Sequence, residues 1–264
     1  MFAIKPMHRN AAMVLMFACL SGLLLAGPLA AQSSEHPTLR AETQIYSDGR
    51  KPSLVGETLT LFDAGVAYDV QLPAKSQITV FDIPRSKIVL IDTTTQRRTT
   101  INCDELVRYM TALRQQAQET GKAAAIGVST QPIGDPQSGV FQAGFPGFLY
   151  TAETQPAAQP QLSQIYNEFT GWATRLNMYQ NPRGAPFARL ALNEQMSESN
   201  VLPSKITVRA TVGDQTETLR SEHQFSPMLS VQDRALISQI GGMLVSFQDV
   251  PAEQFRTPRV AQNE

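Results

Sequence analysis

Cysteine and histidine are the scarce residues of this chain: two and three respectively in 264 positions, beside a single tryptophan. His8 and His36 stand near the N-terminus, so only His223 falls in the region patterned for a fold. That scarcity excludes zinc sites built from paired Cys and His ligands, and no CxxCH attachment motif is present. A P-loop, a GxGxxG after a strand and a GxSxG elbow are also missing, which removes the common phosphate-cradling and serine-nucleophile designs. Neither a metal nor a cofactor is implied. Positive charge is not in excess either: 22 Lys and Arg face 23 Asp and Glu, a formal net charge of -1. Nucleic acid is therefore not an expected partner.

What is present starts with a targeting pattern. Lys5, His8 and Arg9 precede the apolar run "AAMVLMFACLSGLLLAG", and "PLAAQ" supplies small residues at a cleavage point. The pattern predicts a signal peptide over 1–31, cleaved after Ala31, and export to the periplasm or cell envelope. The alternative is an uncleaved N-terminal membrane anchor, because roughly 20 apolar residues can span a bilayer. Cleavage removes Cys19 and leaves Cys103 alone, so no internal disulfide is possible. No later run is long and apolar enough to cross a membrane.

Residues 32–41 read as a polar leader, 42–256 as one domain, and 257–264 as a frayed tail. "ETLTLFDAGVAYDVQL" predicts a hairpin turning at Asp63-Ala64-Gly65. "QITVFDIPRSKIVLID" predicts a second, with Ile83-Pro84-Arg85-Ser86 as a type I turn. That register sets Val80 against Val89, Ile78 against Ile91 and Asp82 against Lys87. Phe81, Ile88 and Leu90 then face the other way, which predicts a central hairpin covered on both sides. "DTTTQRRTTI" turns into a further strand of the meander.

A helix follows, with Asn102 as N-cap, Glu105 completing a capping box, Leu106, Met110, Leu113 and Ala117 on one face, and Gly121 as the stop. Residues 121–160 are rich in Gly, Pro and Gln and read as a surface insertion holding short strands near Val140–Phe141 and Phe148–Thr151. Ile165, Phe169, Trp172 and Leu176 mark a second helix, and Pro186 opens a third. Ile206, Val208, Ala210 and Val212 alternate in a hairpin that turns at Gly213-Asp214. A last helix is capped by Ser230 with Asp233, and its stripe is Leu236, Ile240, Leu244 and Phe247. Together these elements predict an α+β fold, a curved antiparallel sheet packed with about four helices.

Chemistry is sparse. The one nucleophile–base pairing on offer is Cys103 with His223, a thiol at a helix start and a strand histidine as its base, which suits a cysteine-dependent hydrolase. The order Cys then His is shared with papain-type peptidases, although "INCDEL" does not resemble their signature. Asp104 and Glu105 work against the thiolate. Asp63, Asp69, Asp82 and Asp92 sit on or beside hairpin strands; Asp63 and Asp92 suit turns and Asp82 has Lys87 across the hairpin, so these carboxylates read as structural, without acid–base work. Tyr166, Phe169, Trp172 and Tyr179 fit either a core or a site for carbohydrate or lipid.

The run "TLTLFDAGVAYDVQLPAKSQITVFDIPRSKIVLIDTTTQRRTTI", within residues 42–101, resembles the consecutive hairpins of the outer-membrane lipoprotein-sorting (lipoprotein carrier) type. "PFARLALNE" and "LRSEHQFSPMLSVQDR" are instead similar to segments of uncharacterised exported bacterial proteins. The first resemblance implies a sheet and helices enclosing an apolar cavity for acyl chains, and it carries over no catalytic residue. The expectation is a non-enzymatic exported protein that binds an apolar or lipid-like ligand or a protein partner in the envelope. The alternatives are the Cys103–His223 hydrolase and a purely structural envelope component.

Overall fold

A computed structural model describes residues 36–49, 52–182, 185–212 and 215–255. The predicted signal peptide, the Gly213-Asp214 turn and the tail lie outside them. The expected meander runs through β2 (Ser53–Asp63), β3 (Val66–Leu72), β4 (Gln77–Asp82), β5 (Lys87–Asp92) and β6 (Arg97–Asn102). β2 and β3 are joined by Ala64 and Gly65, both at positive φ (50° and 77°). That backbone matches strand twist in a two-residue turn, and Gly65 adopts it without a Cβ clash. Between β4 and β5 the register is as predicted: Val80 opposes Val89, Ile78 opposes Ile91 and Asp82 opposes Lys87. The link is a single 3-10 turn, Ile83–Arg85, and Ser86 takes a left-handed φ of 53°. Its N–H closes on the Ile83 carbonyl at 2.8 Å, the same bond a type I turn makes.

β1 (Leu39–Ser47) begins inside the stretch read as a polar leader. Leu39 and Ala41 are fully buried, and the strand sits between β2 and β11 (Gln215–Ser226). Residues 121–160 supply β7 (Ile133–Asp135), β8 (Val140–Phe145) and β9 (Phe148–Pro156). With β10 (Val201–Val212) and β12 (Gln248–Asp249) they complete one twelve-stranded sheet, in the order β12-β6-β5-β4-β3-β2-β1-β11-β10-β9-β8-β7. Every neighbouring pair is antiparallel except β12 with β6. The fold is therefore α+β with an antiparallel sheet. That sheet is open, with β12 and β7 at its edges, and it is not strongly curled.

Among the described residues four α-helices cover it: α1 (Cys103–Glu119), α2 (Pro160–Gln180), α3 (Pro186–Glu198) and α4 (Val231–Ser246). α2 buries Leu162, Tyr166 and Leu176 against Phe62, Phe81, Ile88 and Leu90. α4 sets Ile240 against Val70, Ile78, Val80, Val89 and Ile91 on the opposite face. The hairpin that reads as apolar on both faces thus has a helix on each. α3 packs Ala188, Leu192 and Met196 on Phe141, Ala152 and Ile206.

Caps divide between expectation and correction. Ser230 and Asp233 form a full capping box: the Asp233 N–H donates to Ser230 Oγ at 3.1 Å, and the Ser230 N–H donates to Asp233 Oδ2 at 2.8 Å. Asn102 occupies the N-cap position of α1, but its side chain makes no capping bond. Glu105 is drawn away by the Tyr179 hydroxyl, which donates to it, so the expected box does not form. Gly121 does end α1: it sits at φ 67°, and the Lys122 N–H reaches the Ala117 carbonyl at 2.7 Å.

Phe141 is wholly buried on a strand drawn from the Gly/Pro/Gln-rich stretch. Phe141→Ala is expected to lower the unfolding free energy by about 3 kcal/mol, the cost typical of a truncated core aromatic. Urea unfolding measures it; a loss below about 1 kcal/mol would mean that β8 lies outside the cooperative unit.

Candidate functional site

The sheet face under α2 is built by strict alternation. Leu39 and Ala41 on β1, Phe62 on β2, Ala67 on β3 and Phe81 on β4 all point to it, because side chains two apart share a face. Phe169 of α2 wedges between two of these rings. It lies edge-on to Phe62 at 5.5 Å and to Phe81 at 5.1 Å, both at 87°. Beside this wedge opens a pocket of about 320 Å³. Phe62, Ala67, Phe81, Ile83, Ile165 and Phe169 form its apolar wall, with His36 and Glu168 among its polar groups. A second depression, about 450 Å³ between α2 and α3, mixes Glu168, Glu194 and Arg175 with Trp172 and Leu190. The first combines a continuous aromatic wall with few polar groups, the usual make-up of a small-molecule site.

Further along the same face the interior becomes polar. Thr43 and His223 are directly opposed across β1 and β11. Thr43 Oγ1 lies 3.0 Å and the Tyr166 hydroxyl 3.3 Å from His223 Nδ1, and Ser221 Oγ lies 2.9 Å from Nε2. Burial, with the Arg189 charge adding to it, pushes the His223 pKa down to about 3, so the ring is neutral. Burial likewise pushes the Tyr166 hydroxyl up to about 12. On β2 and β3, Thr60 opposes Asp69 and donates to its carboxylate at 2.7 Å. Burial raises that carboxyl to about 6, against the partial relief of the Thr60 bond.

Cys103 and His223 are not brought together. Both ring nitrogens of His223 are engaged by Thr43, Tyr166 and Ser221. Cys103 is 4% exposed at the start of α1, and burial first, then Asp104, raises its pKa. α2 runs between the two: Tyr166 lies on His223, and Arg175 is the cation that acts on Cys103. Those two helix positions are about 13 Å apart at 1.5 Å per residue. The other carboxylates fall as read. Asp92 accepts from the Thr94 and Thr95 N–H groups in a turn, and Asp82 pairs with Arg85 at 3.1 Å and Lys87 at 3.7 Å. Asp69, read with the other hairpin carboxylates as structural, is the one whose environment shifts it, and neither a turn nor an ion pair accounts for it. Its signal was positional: two residues from Ala67, it shares the covered face.

Of the ambiguous aromatics, Tyr166 and Phe169 enter the α2–sheet core, Trp172 lies under Arg175 at 5.1 Å, and Tyr179 packs edge-on to Tyr109 at 5.5 Å. Among the described residues no group of three or more His, Cys, Asp and Glu is placed to hold a metal ion. No protein-family model matches the chain, and no curated protein matches it.

His223 and Asp69 oppose each other in pH. The unfolded histidine takes up a proton below about 6.5 while the folded one does not, so His223 loses stability as pH falls from 6.5 toward about 3. Asp69, raised from 3.8 to about 6, gains stability as pH falls through that window. His223→Gln is therefore expected to gain about 1 kcal/mol of unfolding free energy between pH 7 and pH 5, and Asp69→Asn to lose about 2 kcal/mol. Urea unfolding at the two pH values tests this, and slopes of the same sign in both variants would refute it.

Proposed function

We propose that this chain is a non-enzymatic binding protein that takes an apolar or lipid-like ligand between α2 and the β2–β4 part of the sheet. The observation that carries the reading is the aromatic-walled pocket beside Phe169. Its volume of about 320 Å³ sits at the lower end of small-molecule sites, which span roughly 300–1,000 Å³. The binding surface in this reading is the gently curved meander, and Phe169 is the side chain an entering ligand meets. The resemblance of residues 42–101 to lipoprotein carriers agrees with it. Export to the periplasm or envelope, through the N-terminal signal, belongs to the same proposal. Among the described residues, no helix is long and apolar enough to cross a membrane.

Native mass spectrometry after gentle purification should find co-purified lipid, and a fluorescent fatty acid should bind and be displaced by unlabelled oleate. Ile165 lines the pocket and is half-buried, so Ile165→Trp is expected to fill it, cut probe binding at least tenfold and leave the melting temperature within a few degrees. A wild-type protein that carries no lipid and binds no probe would overturn the reading.

A further inference from the structure

Arg189 lies on α3 where that helix, α2 and strands β9–β11 meet. Its guanidinium stands 5.8 Å from the Tyr150 ring centroid, and its charge acts on Tyr166 and His223. Among the described residues it makes no ion pair and its side chain no hydrogen bond. Arg189 is half-buried; the neighbouring histidine is held neutral and both nearby tyrosines stay protonated, so among the described residues no charged side chain beside it balances the cation. Asp69 is the one carboxyl acting on Tyr166, and its own charge is suppressed by burial.

Asn193 is an independent observation at the same place. It is 2% exposed, and both its Oδ1 and Nδ2 lack any hydrogen-bond partner. Buried amides are rarely left so, because the desolvated dipole is uncompensated. Four residues on from Arg189, it shares that residue's side of α3. That side lies between the Ala188–Leu192–Met196 stripe on the sheet and the Leu190–Glu194 side lining the depression against α2. The unpaired amide thus faces the same wedge as the unpaired guanidinium.

We propose that this wedge binds an oxyanion, a carboxylate or phosphate group, on the Arg189 guanidinium with the Asn193 amide donating beside it. A guanidinium offers a planar fork of N–H donors that matches two oxygens of such a group. The Tyr150 and Tyr166 hydroxyls, protonated at neutral pH, are further donors at its margin. The site lies across Tyr166 from the apolar pocket and does not depend on it. The anion has two sources, a free ion or the headgroup of a long-chain acid.

Thermal melts and calorimetric titrations on the whole protein with inorganic phosphate, acetate, oleate and methyl oleate separate them. Stabilisation by phosphate or acetate assigns a free ion. Stabilisation by oleate but not methyl oleate assigns a headgroup. In either case Arg189→Met should weaken binding at least tenfold without lowering the melting temperature of the anion-free protein. Asn193→Leu should weaken it several-fold and melt at or above wild type. Equal responses to oleate and its methyl ester would overturn the oxyanion site while leaving the apolar pocket standing. So would an anion response unchanged in Asn193→Leu, or a lower anion-free melting temperature in Arg189→Met, which would make Arg189 a packing strut on Tyr150.

Discussion

The structure depends on one constraint: β4 and β5 carry apolar side chains on both faces, so both faces need a cover. Phe81, Ile88 and Leu90 require α2, and Ile78, Val80, Val89 and Ile91 require α4. A slip of one residue between these strands would exchange the two sets, and each would meet a helix surface shaped for the other. The cross-strand pairs Val80–Val89 and Ile78–Ile91 oppose that slip, and the Asp82–Lys87 pair marks the turn end of the same ladder.

Placing α2 over this hairpin sets up everything on the covered face. Phe169 enters between Phe62 and Phe81, and the pocket is the space left beside it. One turn earlier, Tyr166 lies edge-on to Phe225 at 4.9 Å and turns its hydroxyl to His223. A single helix therefore presents an apolar wedge and a polar contact to adjacent parts of one sheet. Tyr166 divides the aromatic pocket from the wedge that holds Arg189 and Asn193. The interior histidine is satisfied and neutral, and the only described cysteine is buried with a raised pKa.

Much of the fold was legible because the relevant physics is local. The β4–β5 register follows from alternation, the Ala64-Gly65 turn from a glycine that tolerates positive φ, and the α4 start from a serine with an acidic residue three positions on. Local reading failed where a distant group competed. Glu105 matches a capping box, yet Tyr179, 74 residues away, takes its carboxylate. The small and polar residues of 121–160 suggest a surface insertion with two short strands; the strands are there, but Phe141 and Ala152 on them meet Leu192 of α3 and give that part of the sheet a buried face. The candidate site was legible only as aromatic residues at helical spacing, since that spacing is the same whether a ring fills a core or lines a pocket.

By itself the sequence determined the strand alternation, the turn chemistry, the main helix faces and the lack of metal-binding or nucleophile motifs, because each rests on residues within a few positions of one another. Tertiary structure alone decided that β1 lies between β2 and β11, uniting an early meander with a late hairpin. It also decided that Cys103 and His223 stay apart, that Asp69 is half-buried beside Thr60, and that, among the described residues, the Arg189 and Asn193 side chains have no hydrogen-bond partner. Those outcomes turn on which surfaces bury each other across the chain, and burial and pairing at that range leave no periodic trace in the order of residues.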